Sequence, residues 1–222
     1  FDGFFTQADI DKLINDQANN PAAYIDYGIT PANILPGDIR VKDFNGDKKI
    51  DSRDQVVIGK GGTPEVMFGI NLELQYKNWD LTMFWQGASG FYQNMDIRER
   101  GLQLHASGPR TPYKYLYNRV WTPETAATAI FPADLDGRFN NAFLDKYYID
   151  SKYIRLKNLV IGYSIPQSVL KRVGVKRLRL YTTATNLFTA DGLGIYPYDP
   201  ETSGDGAYPL QRVFTFGLNL TL

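Results

Sequence analysis

The 222-residue chain contains no cysteine, which excludes disulfides, thiolate metal sites and cysteine nucleophiles. Its one histidine, His105, excludes any multi-histidine metal centre. Neither sign of charge dominates: Lys and Arg total 24, Asp and Glu total 24. No global field therefore points to nucleic acid or to an acidic partner. No run of 18 apolar residues is long enough for a transmembrane helix, and the N-terminus has no signal-peptide pattern. The chain opens on Phe1 rather than Met, which suggests an excised or mature piece of something longer. What it has in excess is aromatic residues, at 14% with 15 Tyr and 13 Phe. A tyrosine-rich, cysteine-free composition fits an all-β protein, including one that meets a membrane interface.

Periodicity supports this. Residues 7–20 carry the best helical signal, with Ile10, Leu13 and Ile14 at i, i+3 and i+4. After Pro36–Gly37 the period falls to two, and G-D-I-R-V-K-D-F reads as a strand. The clearest pattern spans 66–88. Val66, Phe68, Ile70, Leu72, Leu74 and Tyr76 share one face, and Trp79, Leu81, Met83 and Trp85 share another run. A two-residue loop at Lys77–Asn78 pairs Tyr76 with Trp79, Leu74 with Leu81, Leu72 with Met83 and Ile70 with Trp85. Gln75–Asp80 and Glu73–Thr82 then fall opposite, and a slip of one residue would mix the faces. Asn71, Glu73, Gln75, Thr82 and Gln86 take the polar side. Further strands are expected at 153–166 (Leu159, Ile161, Tyr163 and Ile165 on one face), 176–188 and 212–222.

Connections alternate between short (77–78, 166–175) and long (91–151, 189–210). Loops beyond about 15 residues are uncommon in compact domains, whereas an outer-membrane barrel puts tight turns on the periplasmic side and long loops outside. The expected strands reach the ~9–11 residues needed to cross a bilayer. Tyr76, Trp79 and Tyr163 near the short turns, and Phe91, Tyr92, Tyr153 and Phe188 near the long loops, match two interfacial aromatic girdles. The predicted fold is all-β: about five C-terminal antiparallel strands of a large transmembrane β-barrel, with long extracellular loops carrying minor helix. Counting strand directions back from a periplasmic C-terminus puts residues 1–65 on the extracellular side and the barrel strands in 66–222. The competing reading is a soluble calcium-stabilised β-sandwich binding module of a cell-surface protein.

The stretch D-F-N-G-D-K-K-I-D-S-R-D at 43–54 has EF-hand ligand spacing. Asp43, Asn45, Asp47, Lys49 (through its carbonyl), Asp51 and Asp54 occupy positions 1, 3, 5, 7, 9 and 12. Many protein oxygens favour Ca²⁺ over Mg²⁺ as a structural ion. Against it, Lys48 stands where a glycine is expected, Asp54 reaches less far than a glutamate, and Lys42, Lys48, Lys49 and Arg53 dilute the field. The plainer alternative is a solvated loop held by Asx turns.

Several motifs, in order, resemble one family: G-D-I-R-V-K-D-F-N-G-D-K-K-I-D-S-R-D, W-Q-G-A-S-G, Y-I-R-L-K-N-L-V-I-G-Y-S-I-P, L-R-L-Y-T-T-A-T-N-L-F-T, Y-D-P-E and the ending G-L-N-L-T-L. They are similar to the C-terminal part of SusC/RagA-type TonB-linked outer-membrane transporters of Bacteroidetes. The resemblance implies a barrel of about 22 strands with an N-terminal plug. It also implies a SusD-like lipoprotein lid, energy from the TonB complex through the absent N-terminal part, and import of oligosaccharides or peptides. Five strands cannot close a membrane barrel, so the rest of the barrel and the plug are implied partners, together with outer-membrane lipid. Family members usually end on Phe, while this chain ends on Leu222.

Enzymatic patterns are thin. Asp134, Asp136 and Glu124 could be drawn as glycosidase carboxylates, but a solvated loop explains them. Lys171, Arg172, Lys176, Arg177 and Arg179 fall at a predicted turn, without the interleaved aromatics that nucleic acid needs. Tyr113, Tyr115, Tyr117 and Trp121 suit loop packing, sugar stacking or lid contact.

Overall fold

A computed structural model describes residues 1–95, 114, 118–133, 144–171, 174–202 and 210–222. In chain order its elements are α1 (Gln7–Asn19), β1 (Val66–Tyr76), β2 (Trp79–Ser89), β3 (Tyr92–Asn94), β4 (Tyr148–Asp150), β5 (Tyr153–Ser164), α2 (Gln167–Leu170), β6 (Arg177–Asp191) and β7 (Val213–Thr221). Five strands form one antiparallel sheet in the order β1-β2-β5-β6-β7, and β3 pairs with β4 in a separate short ladder. The described residues divide into two compact units, Phe1–Gly59 with Asn94–Tyr148, and Lys60–Gln93 with Ile149–Leu222.

The β1–β2 hairpin has the register that alternation predicts: Tyr76 opposes Trp79, Leu74 opposes Leu81, Leu72 opposes Met83 and Ile70 opposes Trp85. Lys77 enters the two-residue turn at φ 53, where a non-glycine residue costs roughly 1–2 kcal/mol. The apolar pairs on either side outweigh that strain, because any other register would expose them to the polar face.

Across the five strands these pairs extend into rows. Tyr76, Trp79, Tyr163, Leu180 and Leu218 form one; Leu74, Leu81, Ile161, Thr182 and Phe216 the next; Leu72, Met83, Leu159, Ala184 and Phe214 the third; and Ile70, Trp85, Leu156 and Phe188 the fourth. The opposite face reads Gln75, Asp80, Gly162, Tyr181 and Gly217, then Glu73, Thr82, Val160, Thr183 and Thr215. One face is apolar and the other largely polar.

A register shift between Leu156 and Asn158 marks a β-bulge at Lys157. An extra residue flips side-chain parity, so Ile154 and Leu156 stay on the apolar face shared by Leu159, Ile161 and Tyr163. The same flip turns Tyr153 inward. Simple alternation puts Tyr153 in the outer girdle; the bulge takes it out. Phe91 leaves the girdle too, because it is buried in a cluster with Ala88 and Tyr153.

In the first unit α1 begins at a capping box, with Thr6 Oγ1 accepting from Asp9 N and the Asp9 carboxylate accepting from Thr6 N. Ile10 and Leu13 are buried with Phe5, Tyr27 and Ile34, while Ile14 is 42% exposed and lies off that face. The Phe5 and Tyr27 rings meet edge to face at 5.1 Å, and burial pushes the Tyr27 phenol up to about 12. The strand expected at 37–44 is shorter than predicted: residues 2–5 pair with 37–40 through one bridge, Phe4–Ile39. The helix that starts at Gln7 ends the ladder.

Candidate functional site

Among the described residues the apolar face of the sheet has no second layer over it. Among those residues, the extensive contacts of β1, β2, β5, β6 and β7 are with one another, and the main contact of α2 is with β6. The two-sheet packing of a sandwich is therefore absent among them. Ile70, Leu72, Leu74, Leu180, Phe214, Phe216, Leu218 and Leu220 are all exposed, with Phe216 at 83%. A contiguous patch of this extent far exceeds what a water-soluble monomer leaves bare. Its rim is aromatic at the short-turn end, where the Trp79 and Tyr163 rings lie 4.7 Å apart beside Tyr76. At the other end Trp85 and Phe188 meet edge to face at 6.3 Å.

On the polar face, two glycines clear room for crossing side chains. Arg179 reaches from β6 over Gly162 of β5 to grip Asp80 of β2, with Nε donating to Oδ1 at 2.9 Å. A Cβ on Gly162 would stand 2.5 Å from the Asp80 carboxylate. In the same way the Tyr181 ring lies over Gly217 of β7.

The loop at 43–54 closes on its own main chain. The Asp43 carboxylate accepts from Gly46 N at 2.7 Å and Lys48 N at 2.8 Å, Asn45 Oδ1 accepts from Asp47 N, and Asp47 Oδ1 accepts from Lys49 N. Asp54 accepts from Phe44 N at 2.9 Å and Asp51 N at 2.9 Å. Lys48 sits at φ 64, the left-handed conformation that the sixth loop position requires. Lys49 bridges Asp26 in the main chain. The Arg53 guanidinium lies 2.7 Å from Asp47 and 2.8 Å from Asp51, occupying part of the space a cation would take. Hydrogen bonds from the Arg53 side chain and backbone hold the Asp51 carboxyl down at about 2, and the Asp51 N–H lowers Asp54. Among the described residues no three His, Cys, Asp or Glu side chains converge as a metal-binding group. In this arrangement the Asx side chains of the loop form a network of turns with its main chain.

A second charged cluster escaped the sequence reading. Arg155, on the polar face of β5, is 3% exposed in its side chain. Its Nε donates to Thr189 Oγ1 at 2.8 Å, Nη2 to Asp199 at 2.8 Å and Nη1 to Glu201. Glu201 also accepts from Lys157 Nζ at 2.6 Å and from the Tyr153 hydroxyl at 2.8 Å. The motif Y-D-P-E at 198–201 was visible, but nothing in sequence ties it to a strand more than forty residues upstream.

Of the remaining candidates, His105, Tyr113, Tyr115, Tyr117, Asp134, Asp136 and Arg172 lie outside the described residues. Glu124 sits in a turn, its carboxyl lowered by the Thr122 hydroxyl. Trp121 packs over Gly37, where a Cβ would meet its ring at 2.5 Å.

No family model matches the chain. It is 32% identical over 200 residues to TonB-dependent receptor P3 of Formosa agariphila, covering 83% of this chain and 19% of the receptor. It is 28% identical over 206 residues to the TonB-dependent receptor SusC of Bacteroides thetaiotaomicron, covering 90% and 19%. A structure of the RagAB peptide transporter superposes with a TM-score of 0.59 at 23% identity, over 84% of this chain and 20% of that one, and shows the shared fold. The chain spans about a fifth of the length of the curated relatives it matches. It is homologous over that stretch to TonB-dependent receptors of the SusC/RagA type, which are transporters rather than enzymes. TonB-dependent receptors reside in the bacterial outer membrane, and that is the location the homology gives this chain.

Proposed function

We propose that the chain forms the C-terminal wall of a TonB-dependent transporter barrel that imports oligosaccharides or peptides beneath a SusD-like surface lipoprotein. The carrying observation is the apolar face: rows of Leu, Ile, Phe and Trp across five strands with no second layer over them among the described residues. Hydrocarbon chains cover such a face without requiring further protein. The 77–78 and 165–176 turns face the periplasm in this reading, residues 1–65 and 91–151 lie outside, and the 189–210 connection starts and ends at the outer rim. The remaining strands and the plug come from the rest of the transporter, and the TonB complex drives it through the N-terminal part. The RagAB structure, of a peptide transporter, supports a partner lipoprotein. The test is uptake of fluorescent oligosaccharide and peptide digests by cells with the full-length gene intact or disrupted. Loss of one uptake is expected; undiminished uptake of both would remove the import role.

The cation reading of 43–54 is a second, separate proposal that rests on ligand spacing: structural Ca²⁺ ahead of Mg²⁺, held by Asp43, Asn45, Asp47, Lys49, Asp51 and Asp54. It requires Arg53 to swing away from Asp47 and Asp51. Calorimetric titration of the full-length protein with CaCl₂ is expected to show saturable binding that tightens in Arg53→Ala. Absence of binding in both proteins would leave the loop as the Asx-turn network alone.

A further inference from the structure

The segment that follows β6 does not project beyond the end of the sheet. It turns back across the polar face of β5. Leu193 and Tyr196 are buried, and the Pro200 carbonyl accepts from Gln93 Nε2 at 3.0 Å. Asp199 Oδ1 accepts from Glu201 N at 2.9 Å, and the Asp199 carbonyl accepts from Thr202 N at 3.2 Å, so the turn that presents both carboxylates is itself fixed. Every polar-face side chain from Tyr153 to Lys157 then grips that turn. The side chains of Asp199 and Glu201 are 10% and 13% exposed. Charges desolvated to this degree persist only when several well-aligned partners satisfy them together. The bulge is part of the device, because the extra residue places Lys157 where it reaches Glu201.

We infer that residues 192–202 form a fixed liner on the inner wall, with Arg155 as the positioning residue that seats it. The inference rests on the barrel reading, in which the polar face of β5 is the lumen wall. Cargo passing the outer part of the lumen meets this segment rather than β5. Beside it lies a polar recess of about 160 Å³, open to solvent and lined by residues that include Arg155, Asn186, Thr189, Tyr198 and Arg212. That is too small for cargo and suits a hydrated seat. The segment is therefore a static constriction, held by charge instead of a hinge, and it differs from a lid that opens for each substrate.

The experiment uses the full-length transporter in lipid nanodiscs, with hydrogen exchange read peptide by peptide. In wild type, 192–202 is expected to be protected. In Asp199→Asn/Glu201→Gln, its exchange is expected to accelerate at least about tenfold while β5 and β6 keep their protection. Equal exchange in the two proteins, or no protection in wild type, would overturn the inference. Should the double variant fail to assemble, Tyr198→Cys in a cysteine-free background provides the second measurement. Slow labelling by a membrane-impermeant maleimide supports the seated segment, and labelling as fast as in the denatured protein refutes it. A fluorophore at Leu72→Cys, quenched by brominated acyl chains, reports the barrel reading independently. Quenching with an unprotected 192–202 sinks the liner alone, and no quenching sinks the barrel.

Discussion

Replacing Leu72 with Arg and, separately, its chain neighbour Asn71 with Arg puts the same charge on opposite faces of β1. The strand has 11 residues. At about 3.4 Å per residue and a tilt near 40°, it rises about 28 Å along the membrane normal, close to the ~25 Å apolar band of outer-membrane barrels. Leu72 lies four residues from Tyr76, hence about 10 Å above the inner girdle and close to the midplane. Its row neighbours Met83, Leu159 and Phe214 supply no counter-charge. An arginine there costs about 2–4 kcal/mol, a factor of roughly 30 to 1,000 in the folding equilibrium. Asn71 is exposed on the opposite face, in a row with Phe84, Asn158, Thr185 and Val213, where a solvated arginine changes stability by only about 0.5 kcal/mol. Guanidinium unfolding of the full-length protein in lipid vesicles measures both. A large loss for Leu72→Arg beside a small one for Asn71→Arg is expected. Equal losses would mean that water, not lipid, bathes both faces.

Gly162→Leu is expected to break the Asp80–Arg179 crossing, since the side chain would fill the space the ion pair spans. A loss of about 1–3 kcal/mol by the same unfolding assay checks it, and an unchanged midpoint would mean the pair re-forms elsewhere. Thr6→Ala removes the acceptor for Asp9 N; a local loss of about 1 kcal/mol should speed hydrogen exchange in α1 and leave β1–β2 unaltered. The folded pKa of Asp51 lies below its ordinary value, so its contribution is complete above about pH 4. It disappears as pH falls through about 2. Exchange in 43–54, corrected for its intrinsic rate, should therefore rise between those pH values, and a flat profile would discount the carboxylate bonds.

The hairpin was legible because its information is local and doubly specified: Val66 to Trp85 alternate without a break, and Lys77–Asn78 leaves one register that keeps the faces unmixed. The capped helix was legible for the same reason, although Ile14 showed that periodicity overstates a buried face when the opposing surface is small. The Asx-rich make-up of 43–54 is plain in the sequence, but the contacts of Arg53 with Asp47 and Asp51 are not, and there Arg53 reads merely as diluting charge. The facing of Tyr153 is not legible, because one extra residue at Lys157 reverses every side chain beyond it and no composition signal marks which residue bulges.

Alternation along the chain determined the five strands of the main sheet, which face of each is apolar, and how neighbours joined by short turns pair. These follow from the fixed period of two in a pleated backbone. Only the tertiary structure decided that no second layer covers the apolar face among the described residues, that Gly162 and Gly217 admit crossing side chains, and that Asp199 and Glu201 return to Arg155. Those outcomes depend on which distant residues converge in space, and charge pairing at a separation of more than forty residues leaves no periodic trace in a sequence.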